Sequence, residues 1–74
     1  MEGLIDIAKR YALEHTSINL NKLAIHLMGE DPTLTIDDAE ELAYRALKEL
    51  HDEGKGILHS RVTYGGAPVF ESRE

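Results

Sequence analysis

Between Thr35 and Ile57 the chain reads TIDDAEELAYRALKELHDEGKGI, an apolar stripe at helical spacing closed by glycine and followed by strand-like alternation. No other feature constrains the fold as much. Ile36, Ala39, Ala43, Ala46, Leu47 and Leu50 fall on one side of a helix, with Leu42 at its edge. Thr35 is expected to cap that helix, and Asp38 three residues on approximates a capping box. Gly54 and Gly56 are expected to end it, which sets a helix over about 36–53. A single stripe of this width has to be covered by other elements.

Two shorter helices upstream supply the cover. Leu4, Ile5, Ala8, Tyr11, Ala12 and His15 recur at helical spacing over about 2–15, with Leu13 pointing away from the stripe among Asp6, Lys9 and Arg10. A second helix over about 20–28 presents Leu20, Leu23, Ala24, Leu27 and Met28 inward and Ile25 outward. Asn19 is its expected N-cap, Ile18 the outer half of a hydrophobic staple on Leu23, and Gly29 its left-handed terminator. Pro32 holds Asp31 extended in the loop before Thr35.

After Ile57 the period changes to two. Gly65-Gly66 suits a two-residue hairpin turn over about 57–72. That turn would set Tyr64 opposite Ala67, Val62 opposite Val69 and Arg61 opposite Phe70, with the valine pair toward the helices. Pro68 assigns its strand to an edge. The expected fold class is α+β in a single domain, 1–74: a three-helix bundle with a C-terminal two-stranded hairpin.

Charge separates the functional classes. The chain has 74 residues and a net charge of −6, and the excess is local. Residues 1–29 balance three bases against three acids, residues 30–53 hold nine acids against Arg45 and Lys48 (−7), and residues 54–74 come to +1. A phosphate-binding surface needs the opposite sign, since affinity comes largely from cationic side chains releasing counterions. Cysteine is absent, so thiolate chemistry, disulfides and zinc-thiolate sites are excluded. No apolar run approaches the roughly 20 residues of a membrane span, and MEGLIDIAKR lacks the order of a signal peptide. The expectation is an intracellular, cytoplasmic protein that does not enter a membrane.

NLNKLAIHLMG looks like the second helix of winged helix-turn-helix proteins. AYRALKELHDEGKGI is similar to their third helix, with its Tyr-Arg-x-Leu-x-x-Leu core and a glycine before the first wing strand. The resemblance covers nearly the whole chain and implies a small winged helix whose third helix reads DNA from the major groove. In that role Asp37, Asp38, Glu41, Tyr44, Arg45 and Lys48 occupy the outward face. Arg45 and Lys48 would hold phosphates, Tyr44 would stack or hydrogen-bond, and Arg61 with Thr63 would set the wing against the backbone or a minor groove. The acids stand where such families commonly offer Ser, Thr, Gln or Arg, and carboxylates beside phosphates cost affinity.

The competing reading is a protein-interaction module that meets a basic protein surface. Asp37, Asp38, Glu41 and Tyr44 would supply the contact, with Leu13 and Ile25 as further exposed apolar residues. A narrower version has the acidic helix imitate nucleic acid on another protein's binding site. The bland alternative gives Asp37 and Asp38 to the helix dipole and leaves single exposed apolar residues unexplained. Homodimerisation through the first helix and Leu13 is also expected, because so small a core gains from a second subunit.

Neither catalysis nor a metal or cofactor site is expected. Ser17, Ser60 and Ser72 lack a nucleophile-elbow context, and Gly65-Gly66 is no phosphate-cradling loop. No two histidines among His15, His26, His51 and His59 have ligand spacing on one helix. His15 is expected to cap the first helix's C-terminal end, and His26 to be exposed.

Overall fold

In the computed structural model, which describes residues 3–59 and 68–73, the element order is α1 (Leu4–Leu13), β1 (Ser17–Asn19), α2 (Leu20–Glu30), α3 (Ile36–Asp52), β2 (Gly56–His59) and β3 (Val69–Ser72). The fold is α+β: three helices and a three-stranded antiparallel sheet in the order β1-β3-β2.

Local chemistry sets the helix starts. The Asn19 side chain accepts the Lys22 N–H at 2.7 Å, and the Thr35 hydroxyl accepts the Asp38 N–H at 3.2 Å. Each satisfies a donor that a helix start otherwise leaves orphaned. The ends depart from expectation. Gly29 lies inside α2, which runs on to Glu30, and its φ is not positive. Helical backbone is open to glycine, so the helix continues until its stabilising contacts end. Gly54 does take the left-handed conformation, with φ 77°, just past α3. Gly56 does not terminate α3 but opens β2 and is buried. A Cβ there would overlap the Phe70 ring and the Glu71 carbonyl oxygen.

The core gathers Ala8 and Ala12 of α1, Leu20, Leu23, Ala24 and Leu27 of α2, Ala39, Ala43, Ala46, Leu47 and Leu50 of α3, and Ile18 and Phe70 from the sheet. The many alanines let the helices approach closely, and Phe70 fills the space under the sheet. Ile36 departs from its expected place in the stripe. It opens α3 and is 46% exposed. Periodicity gives a residue's phase around a helix but not where along the axis the covering neighbours stop.

The sheet corrects the two-stranded expectation. β1 had no signature, since three residues are too few to show alternation, yet it pairs with β3 through Ser17↔Glu71, Ile18↔Phe70 and Asn19↔Val69. β3 is therefore the central strand rather than an edge. Pro68 sits just before it and contributes its carbonyl, which accepts the Leu20 N–H at 2.8 Å.

The hairpin register is also different. Phe70 opposes Leu58 rather than Arg61, and Val69 opposes His59 rather than Val62. The offset is three residues, which is odd and so exchanges the faces of the sheet. Burial of Phe70 between Ile18 and Leu58 accounts for the observed register, with all three side chains on the face toward the helices. The Gly65-Gly66 turn, Val62, Tyr64, Arg61 and Thr63 lie outside the described residues.

Candidate functional site

The outward surface of α3 is where the charge gathers, and the structure places six of the expected residues on it. Asp37, Asp38, Glu41, Tyr44, Arg45 and Lys48 are all exposed. Two neighbouring rows at i, i+4 spacing organise five of them: Ile36, Glu40, Tyr44 and Lys48 lie along one, Asp37, Glu41 and Arg45 along the other, and Asp38 falls outside both. Tyr44 is 40% exposed, and together with Ile36 it gives the first row two apolar members.

The ion pairs divide the helix into two ends. Glu41 holds Arg45 at 3.6 Å within the helix, with the acid N-terminal to the base, the favoured order. Lys9 of α1 reaches across to Glu49 at 3.1 Å and Glu53 at 3.3 Å. The hydrogen bond that Lys9 donates to Glu49 is the main reason that its ammonium is held above its ordinary pKa, with burial opposing it and Glu53 adding to it. Glu49 of α3 and Glu53, the residue that caps it, thus face α1, and Glu53 also meets Lys55 at 3.8 Å. Among the described residues no ion pair engages Asp37, Asp38, Glu40 or Lys48. The surface over residues 37–48 therefore counts four acids against Arg45 and Lys48, a balance of −2.

The other candidates scatter. Ile25 is 64% exposed on α2, as expected. Leu13, expected to face outward, is half-buried against the core. Position 13 is the last of α1, where β1 and α2 fold back on the helix, and that return is a tertiary event the helical period does not carry. His26, expected to be exposed, is half-buried because its ring stacks on Tyr11, with centroids 3.8 Å apart and planes at 13°. His15 caps α1 as expected, its Nδ1–H donating to the Tyr11 carbonyl at 2.8 Å. Its ring also tilts against Tyr11 at 4.4 Å.

Sequence reasoning missed His51. Its Nδ1 accepts the Leu58 N–H at 3.2 Å. Arg73 bonds Lys55 across the β2–β3 ladder, so by alternation Leu58 turns its N–H away from β3 to the open edge of β2. His51 covers that edge. Its signal in the sequence was position alone, a histidine in the last turn of a helix that leads directly into a strand.

No group of three or more His, Cys, Asp or Glu side chains able to hold a metal occurs among the described residues. No described helix is long and apolar enough to cross a membrane. Comparison with known proteins found no matching family model, no matching curated protein and no matching solved structure.

Proposed function

We propose that this chain is a non-catalytic winged-helix module, regulatory or adaptor in role, that binds a basic protein surface through the outward face of α3. The order of elements supports the winged-helix reading. The antiparallel pair β2–β3 follows α3 directly, as the two strands of a wing would, and β1 ties β3 to the bundle. One observation carries the choice of partner. Glu41 neutralises Arg45, and Asp37, Asp38 and Glu40 stand without an ion pair among the described residues. A duplex docked on that surface would set phosphates against carboxylates. A Lys/Arg-rich protein surface meets complementary charge there.

Duplex DNA is the alternative, read by Tyr44, Arg45 and Lys48 with Arg61 and Thr63 from the wing. Lys48, exposed and without an ion pair among the described residues, is the observation in its favour. Titration of the labelled chain with mixed-sequence duplex at about 50 mM salt decides between them, because non-specific affinity is strongest at low salt. The protein-module reading expects no salt-sensitive amide shifts at Arg45 and Lys48. It also expects the double reversal Asp38→Lys with Glu41→Lys to abolish binding of a Lys/Arg-rich peptide. Should the peptide bind the reversed protein unchanged, the reading fails. If duplex instead displaces this protein from a nucleic-acid-binding partner, the acidic helix acts as a mimic.

A further inference from the structure

The partner can be described more closely, on the reading of α3 as the docking element. Ile36 and Tyr44 are the large apolar residues that α3 leaves well exposed, at 46% and 40%. They share one i, i+4 row with Glu40 between them, and Asp37 and Glu41 flank it in the next row. Eight residues separate them, or about 12 Å of helix rise. The remaining large apolar side chains of α3 face inward, Leu47 and Leu50 fully and Leu42 in part. The apolar exposure and the acidic charge are independent features of the sequence, and they converge on the N-terminal half of one face.

We infer that this face receives a basic amphipathic helix. Its two apolar anchors, seven or eight residues apart, pack on Ile36 and Tyr44, and its flanking Lys or Arg side chains meet Asp37 and Glu40, which have no ion pair among the described residues. A helix presents side chains at the same spacing of about 5–6 Å as the rows of α3, so both sets of contacts form together. A second copy of this chain does not fit, because a two-fold contact through this face would oppose acid to acid. An anionic lipid surface is repelled for the same reason. The row also has polarity. Beyond Tyr44 it passes to Lys48, so the basic end of the partner lies over the start of α3.

Two probe peptides of identical composition test this against the full chain. One is a helical Lys/Arg-rich peptide carrying two leucines seven residues apart, and the other is its scrambled isomer. Anisotropy titration at low salt should show the amphipathic peptide binding at least about tenfold tighter than the isomer, the scale of one buried anchor. Ile36→Gln and Tyr44→Gln should each remove about that factor, while Ile57→Gln on β2, also an exposed apolar residue, should leave affinity unchanged. All three residues are exposed, and thermal melts confirm that the variants fold. Equal binding of both peptides overturns the inference and leaves the acidic-helix reading standing. Failure of both peptides to bind removes that reading as well.

Discussion

Three glycines show how much a single residue's setting decides. Gly54 has φ 77°, so Gly54→Ala should cost about 1–2 kcal/mol through left-handed strain. Gly56→Ala forces a Cβ into the Phe70 ring and the Glu71 carbonyl, and should cost at least about 1–3 kcal/mol by overpacking. Gly29 lies within α2 with nothing near its missing Cβ, so Gly29→Ala should stabilise the protein by about 0.5–1 kcal/mol. Urea denaturation of the three variants measures all of them on one scale. A loss at Gly29 would mean that it ends the helix after all. All three glycines were visible in the sequence as breakers, but their roles were not, because a glycine's sign depends on its φ and on what faces the empty position.

Elements are joined here by contacts of long sequence separation, and one of them carries the alkaline pH dependence. Lys9 binds Glu49 and Glu53, and its pKa is raised. Its contribution to stability is therefore complete below the unfolded lysine value, about 10.4, and is lost as pH rises through the higher folded value. Lys9→Gln should flatten that alkaline limb of a stability–pH curve. Asp31 behaves in the opposite sense. The Thr33 hydroxyl and backbone N–H hydrogen-bond its carboxylate and lower its pKa. Its contribution is present above about 3.9 and disappears as pH falls through the lower folded value. Both groups lie at the surface, so the effects are slopes to be compared with the variant rather than large steps. At the sheet edge, His51→Ala should speed hydrogen exchange at the Leu58 amide while Ile57, bonded to β3, stays protected. Equal acceleration at both amides would show general loosening of β2 instead of loss of an edge cover.

For the whole molecule, Phe70 links the sheet to the bundle. It is fully buried, opposite both Ile18 and Leu58. Phe70→Ala should cost about 3–5 kcal/mol. A chain of this size has a total stability of only about 4–11 kcal/mol, from about 0.05–0.15 kcal/mol per residue. The variant is thus expected to lose cooperative thermal unfolding or to melt far lower by circular dichroism. Survival of the wild-type melting temperature would show that the sheet is not coupled to the helices. Charge acts on the same scale. The −6 total is smaller than the −7 carried by residues 30–53, so reversing Asp38 and Glu41 changes the field of one face without altering the balance elsewhere.

The sequence by itself determined the three helices, the caps at Asn19 and Thr35, the phase of α3 and the placement of the acidic face. All of these follow from local rules, namely side-chain period, capping chemistry and charge counted along the chain. Tertiary structure decided the rest. β1 exists because Ser17–Asn19 meets Val69–Glu71 some fifty residues later, and no local period announces a strand of that length. The hairpin register follows the burial of Phe70 rather than the two glycines. Half-burial of Leu13 and His26 and exposure of Ile36 depend on where neighbouring elements begin and stop. The candidate face of α3 was legible as a set of residues, but its division was not: Glu49 and Glu53 go to Lys9, and Glu41 holds Arg45. Which acids remain unpaired depends on distances between side chains, and those are set by the packing of the whole.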